Sequence, residues 1–290
     1  MAMDSSLTVS HHSFMTSDAG TTSTTSYLAR HEGQIVYEVA GQGPLIVLVP
    51  DMGDLLATYR FLAPQLRRAA YRVAECDLRG HGDSDVTFSG YGDEETASDL
   101  VALIDELSGP AVVAGNSMGA AAAVLAAADR PDLVVGLVLV GPFLRDRASS
   151  FIGRFVLRLA LSQLLAATTW RAYMPKLYAG RRPDDFEEYR DKVVASLRRP
   201  GYAKAFSMTA RGGHRRVAER LGEVAVPSLV VMGEKDPDFA DPRLEADWIA
   251  KSLGSAITMV PRAGHYPQSQ QPETTTESEL GFLVKVHGGA

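Results

Sequence analysis

A repeated alternation of short aliphatic runs with longer amphipathic stretches is the feature that most restricts the folds open to this chain. The runs Gln34 to Val39, Leu45 to Val49, Tyr71 to Cys76, Ala111 to Ala114, Val134 to Val140, Ser228 to Met232 and Ala256 to Val260 have the length and β-branched content of buried strands. Between most of them lie helical patterns: Tyr59 to Ala70, Glu94 to Leu107, Met118 to Asp129 and Pro242 to Leu253. Strand alternating with helix predicts an α/β fold with a mostly parallel, twisted sheet. Runs that are apolar on both faces need helices on both sides of that sheet.

The alternation stops between Phe143 and about Glu223, where the pattern is helical throughout. We therefore divide the chain into a core of residues 26–142 and 223–290, an inserted helical cap over 143–222, and a disordered tail over 1–25. The cap is unusually apolar, with Phe151, Phe155, Leu157, Leu159 and Leu165, then Trp170, Tyr173 and Tyr178. A lid over an apolar pocket explains that composition; a small packed bundle with no part in binding is the alternative. With 290 residues, 46% of them hydrophobic, the chain is long enough to bury a deep site.

The net charge of −6 and the scatter of the 29 Lys and Arg residues give no basic footprint for nucleic acid, so a small-molecule substrate is expected. Cys76, the single cysteine, excludes an internal disulfide and any cysteine-built metal site. The Ser-, Thr- and His-rich segment before Arg30 lacks both the basic start and the apolar run of a secretory signal. Polar residues also interrupt every stretch that could span a membrane, so a cytoplasmic location is expected. The oligomeric state stays open between monomer and homodimer.

The strand Ala111 to Ala114 runs into Gly115-Asn116-Ser117-Met118-Gly119 and then into the alanine-rich run Ala120 to Ala128. A serine between glycines at a strand-to-helix turn is the context of a nucleophile elbow. The small flanking residues let the chain turn sharply and hold the hydroxyl outward. Such a hydroxyl needs a base, and the base needs an orienting acid.

Of the seven histidines, only His265 follows a late strand, in a loop whose Gly264 permits close approach to the serine. His11, His12, His31 and His287 lie near the ends, His81 in a glycine-rich turn and His214 in the inserted block. The acid is expected just past Ser228 to Gly233, where Glu234, Asp236, Asp238 and Asp241 cluster. Asp236 is the first choice and Asp238 the second; Asp241 before Pro242 reads as a helix N-cap.

At these residues the chain resembles the α/β-hydrolase superfamily. Asp77-Leu-Arg79-Gly80-His81-Gly82-Asp83-Ser84 is similar to a structural loop of that family, so His81 is not counted as catalytic. The resemblance implies an α/β-hydrolase fold with an inserted cap, a Ser117-His265-Asp236 triad, and an oxyanion hole made by the amides of Met52 and Met118. It implies an esterase-type reaction that needs no metal or organic cofactor. Asp51, Trp170, Tyr173 and Tyr266 are the candidate substrate contacts.

One departure concerns the oxyanion loop. The family usually has His-Gly after the strand, whereas this chain has Pro50-Asp51. A carboxylate about 6 Å from a developing oxyanion would oppose it by roughly 3 kcal/mol at an effective dielectric near 20. The milder expectation is that Asp51 turns away and binds loop backbone.

Three rival activities follow from the same residues. The elbow is similar to that of carbon-carbon hydrolases, although Tyr266 replaces the Trp usual there. Cofactor-free haloperoxidases and perhydrolases share the triad. The third is a non-catalytic ligand-binding homologue. Epoxide hydrolases and haloalkane dehalogenases need Asp where Ser117 stands.

Overall fold

The computed structural model describes residues 23–146 and 159–288. Eight strands form one sheet in the order β1-β2-β4-β3-β5-β6-β7-β8. They are β1 (Thr24–Arg30), β2 (Gly33–Ala40), β3 (Leu45–Val49), β4 (Arg72–Cys76), β5 (Ala111–Asn116), β6 (Val134–Val140), β7 (Ser228–Gly233) and β8 (Ala256–Val260). The β1–β2 and β2–β4 pairs are antiparallel and all the others parallel. The sheet is thus the mostly parallel one that the alternation predicts, with an antiparallel edge.

The expected tail overruns the first strand, because Thr24 and Thr25 already pair with Val39 and Glu38. The Thr-Thr-Ser-Tyr start of β1 is largely solvent-facing, so its sequence carries no aliphatic signal, and pairing with β2 supplies what packing does not. The expected helix from Tyr59 to Ala70 is shorter: a 3-10 turn at Leu56–Tyr59 precedes helix α1 (Ala63–Arg68), with Pro64 in its first turn.

Helices α2 (Asp93–Glu106) and α3 (Met118–Asp129) pack together against one face of the sheet, burying Leu100, Leu103 and Ile104 with Val124 and Leu125. Helix α3 is buried along nearly all its length, which its alanines allow by letting backbones come close. The other face carries Tyr59, Leu62 and Leu66 with Ile46 and Leu48 of β3.

Between β6 and β7 the described residues hold helices and no strand. They are α4 (Ala166–Leu177), α5 (Phe186–Leu197), α6 (Tyr202–Thr209) and α7 (Arg215–Arg220), followed by a 3-10 turn at Leu221–Glu223. Phe151, Phe155 and Leu157, expected to belong to the lid, lie outside the described residues. Trp170, Met174, Leu177, Tyr189, Val193 and Phe206 form a cluster of their own, joined by Tyr266 from the core. The last elements are α8 (Pro242–Leu253), a short helix α9 (Pro267–Gln270) and α10 (Pro272–Gly288). Asp241 caps α8 as its sequence suggests, accepting the Leu244 N–H at 3.1 Å.

Candidate active site

Strand β5 lies between β3 and β6, so the residue that follows it emerges at the middle of the sheet's C-terminal edge. That residue is Ser117, with φ 54° and ψ −112°, a conformation that non-glycine residues adopt at a cost of about 1–3 kcal/mol. Its own amide donates to Val140 O at 2.9 Å, and its carbonyl accepts from Ala120 and Ala121 in α3.

The glycines are required by close approach. A Cβ on Gly115 would stand 2.3 Å from Gly119 O, and one on Gly119 would stand 2.6 Å from the carbonyl oxygens of Val49 and Pro50. Gly119→Ala is therefore expected to destabilise the protein by about 1–3 kcal/mol, measured as a lower urea midpoint. An unchanged midpoint would show that β3 and α3 are not locked this tightly.

His265 and Asp236 follow β8 and β7. His265 Nδ1 lies 2.7 Å from Asp236 Oδ2, and both side chains are buried. Asp238, the second choice, has its Oδ2 at 3.8 Å from the same nitrogen, and its amide donates to Asp236 Oδ1 at 3.0 Å. Asp238 thus stands farther from the imidazole than Asp236 and is hydrogen-bonded to Asp236 through its amide. Burial opposes charge on His265, but Asp236, Asp51 and Asp238 outweigh it and hold the imidazole well above its ordinary value.

The His265 loop is fixed from several sides. Asn116, next to the serine, donates to His265 O at 3.2 Å, and the His265 amide donates to Leu177 O of the cap at 2.8 Å. Gln270 accepts from the Gly264 amide at 2.8 Å and donates to Ala179 O and Arg181 O. Gly264 was expected to let the loop approach the serine; the space its missing Cβ leaves is taken by the cap, with Leu177 O only 2.2 Å from that position. Asn116 and Gln270 carry no motif of their own, so the sequence does not single them out.

Asp51 does not turn away from the site. Its Oδ1 accepts the Met52 N–H at 2.6 Å, the amide expected to serve the oxyanion hole. Its Oδ2 accepts from Tyr266 Oη at 3.1 Å and lies 3.5 Å from His265 Nε2. That nitrogen is buried and makes no hydrogen bond. The side chain does bind loop backbone, as the milder expectation held, but the amide it binds is the one the reaction would use. Met118, the other expected donor, opens α3 with an amide that has no intrahelical partner.

A cavity of about 420 Å³ opens over Ser117, Met118, Asp51 and Met52. Trp170 and Tyr173 of α4, in the block between β6 and β7, line it together with Ser117. Trp170 also donates to Gly53 O at 2.7 Å, tying α4 to the Asp51 loop. Tyr266 does not line the cavity. It is fully buried, stacked on Tyr178 with ring centroids 4.7 Å apart, and reaches the site through its hydrogen bond to Asp51 and an edge-to-face contact with the His265 ring at 5.3 Å.

His214, which the sequence left unassigned, does line the cavity; its Nδ1 lies 2.7 Å from Asp93 Oδ2. The two are far apart in sequence, so no local pattern marks the pair. His81 is buried beside Arg79 O and Phe206, consistent with a structural place in its loop. Asp77 holds that loop by accepting from the amides of Leu56 and Asp83 at 2.8 and 2.9 Å.

The profile of the alpha/beta hydrolase family matches residues 46–277, and the chain belongs to that family. It is 29% identical over 255 residues to a 2-(acetamidomethylene)succinate hydrolase of Mesorhizobium japonicum, covering 84% of this chain and 89% of that one. A pimeloyl-[acyl-carrier protein] methyl ester esterase of Neisseria meningitidis is 28% identical over 227 residues, covering 77% of this chain and 71% of that one. Among solved structures, a thermophilic esterase from Thermogutta terrifontis superposes with a TM-score of 0.75 at 25% identity, over 91% of this chain and 99% of that one. No helix among the described residues is long and apolar enough to cross a membrane.

Proposed function

We propose that the chain is a serine hydrolase cleaving an ester-like bond of a small molecule through Ser117, His265 and Asp236. The observation that carries this reading is a serine held at positive φ beneath a cavity of about 420 Å³, in a site whose histidine is already paired to a buried carboxylate at 2.7 Å.

In this mechanism Ser117 Oγ attacks the carbonyl carbon as its proton passes to His265 Nε2, and Asp236 offsets the imidazolium charge. The amides of Met52 and Met118 stabilise the tetrahedral oxyanion, which collapses to an acyl-enzyme as His265 protonates the leaving alcohol. Water, deprotonated by the same imidazole, then releases the acid. No step draws on a metal or an organic cofactor. Acylation requires that Asp51 first leave the Met52 amide.

The names of the relatives support hydrolysis of an ester or a related acyl bond. The succinate in one name fits this chain poorly, because Asp51, Asp93, Asp146 and Asp238 all line the cavity and would repel an anion.

Asp51 also favours a second reading, a ligand-binding homologue whose catalysis has lapsed, since its carboxylate occupies one oxyanion donor. A fluorophosphonate probe separates the two. The hydrolase should be labelled at Ser117 within minutes, with labelling lost in Ser117→Ala and His265→Ala. A folded wild-type protein that stays unlabelled would establish the binding reading instead.

A further inference from the structure

The cavity walls combine buried carboxylates with aromatic faces, and this pairing selects for one kind of ligand. Asp51 is 3% exposed and sits at the cavity floor beside Ser117. Tyr173 lines the roof, and Trp170, itself only 3% exposed, packs against it with ring centroids 6.0 Å apart. The Tyr173 hydroxyl donates to Asp238 Oδ1, so a carboxylate stands at the edge of the Tyr173 ring. Ring faces and carboxylates together attract an organic cation, the faces through their quadrupoles and the carboxylates through charge.

Few protein cations are available to neutralise this acidity among the described residues. Arg145 lines the cavity, but Glu245 holds its guanidinium at 3.0 and 2.6 Å, and it lies over the Trp248 ring at 3.8 Å. His214 is paired to Asp93, and its backbone amide donates to Asp146 at 2.8 Å. Burial lowers the readiness of His214 to take a proton, while the Asp93 carboxylate more than restores it. Even with His214 and His265 both charged, the carboxylates of Asp51, Asp93, Asp146, Asp236 and Asp238 outnumber them. The unpartnered Nε2 of His265 lies 3.5 Å from Asp51 Oδ2, at the same end as the serine. The reacting end and the acidic walls thus belong to a single cavity.

The geometry points to a substrate that carries an organic ammonium group, seated against Tyr173 with Asp238 and Asp51 as its counter-charges. This inference rests on the serine hydrolase reading for the bond that is cleaved, but not for the binding that it predicts. A cation at this place also gives Asp51 a partner other than the Met52 amide. Substrate entry would then release the oxyanion donor, and a neutral ester would leave it occupied.

The test compares choline with its uncharged isostere 3,3-dimethylbutan-1-ol, binding each to the Ser117→Ala protein by calorimetry at low salt. Choline is expected to bind at least tenfold more tightly, with the difference shrinking as salt is added and falling severalfold in the additional Asp238→Asn variant. Equal or weaker binding of choline, including no binding of either, overturns the inference. Wild-type protein is assayed in parallel with butyrylcholine and 3,3-dimethylbutyl butyrate, the charged ester being expected to show the higher kcat/KM. Labelling of Ser117 by fluorophosphonate without cation preference refutes the ammonium inference alone. Cation preference in binding with neither labelling nor turnover of butyrylcholine refutes the hydrolase reading alone.

Discussion

Asp51→Gly is expected to raise kcat for an uncharged p-nitrophenyl ester by about a hundredfold, the scale on which a single oxyanion-hole donor acts. In the wild type the carboxylate holds the Met52 amide at 2.6 Å and stands 3.5 Å from the imidazole nitrogen that receives the serine proton in the proposed mechanism. Glycine removes both obstacles at once.

The substitution also has a pH signature. In the proposed mechanism His265 acts as a base only when neutral, and burial, which disfavours its charge, is outweighed by the carboxylates of Asp236, Asp51 and Asp238. Removing one of those carboxylates lowers the imidazole pKa, so activity should persist to lower pH and the acid limb of kcat/KM should shift to the acid side. Tyr266 loses its acceptor in the variant, a stability cost of about 1–2 kcal/mol that is offset in part by removing a buried carboxylate. Equal turnover and an unmoved acid limb would show that Asp51 does not restrain the reaction.

Asp236→Asn is expected to lower kcat by roughly 10⁴-fold, with the fold intact. The reason lies in the direction of two hydrogen bonds. The Asp238 amide donates to Oδ1 of Asp236 at 3.0 Å, while Oδ2 faces His265 Nδ1 at 2.7 Å. An asparagine places its carbonyl oxygen on the Asp238 amide and therefore turns its NH₂ group toward His265. Nδ1 must then accept, the proton moves to Nε2, and the imidazole can no longer receive the proton of Ser117. Single-turnover acylation kinetics, with circular dichroism as the folding control, measure the effect. A loss of less than tenfold would mean that Asp238 supplies the acid from 3.8 Å.

The parts of this protein that were legible in its residues are those that local physics dictates. Strands β3, β6 and β8 and helices α3 and α8 lie where aliphatic runs, an alanine run and an Asp-Pro cap place them. The elbow could be read because only glycine fits at positions 115 and 119, where a Cβ would strike backbone. Strand β1 could not, because its residues are mostly exposed and it exists through pairing with β2. His214 and Asp93, Asn116 and the His265 carbonyl, and Tyr266 and Asp51 are pairs made by the fold across long stretches of chain.

The sequence by itself determined the alternating α/β architecture, the serine at its tight turn and the interruption by a helical block, because each follows from periodicity or steric limits within a few residues. Only the tertiary structure decided which way the Asp51 carboxylate points, that Tyr266 is walled off from the cavity, and that acidic side chains from distant segments share one pocket. Those outcomes depend on where separate segments meet, and a side chain's charge acts across space rather than along the chain.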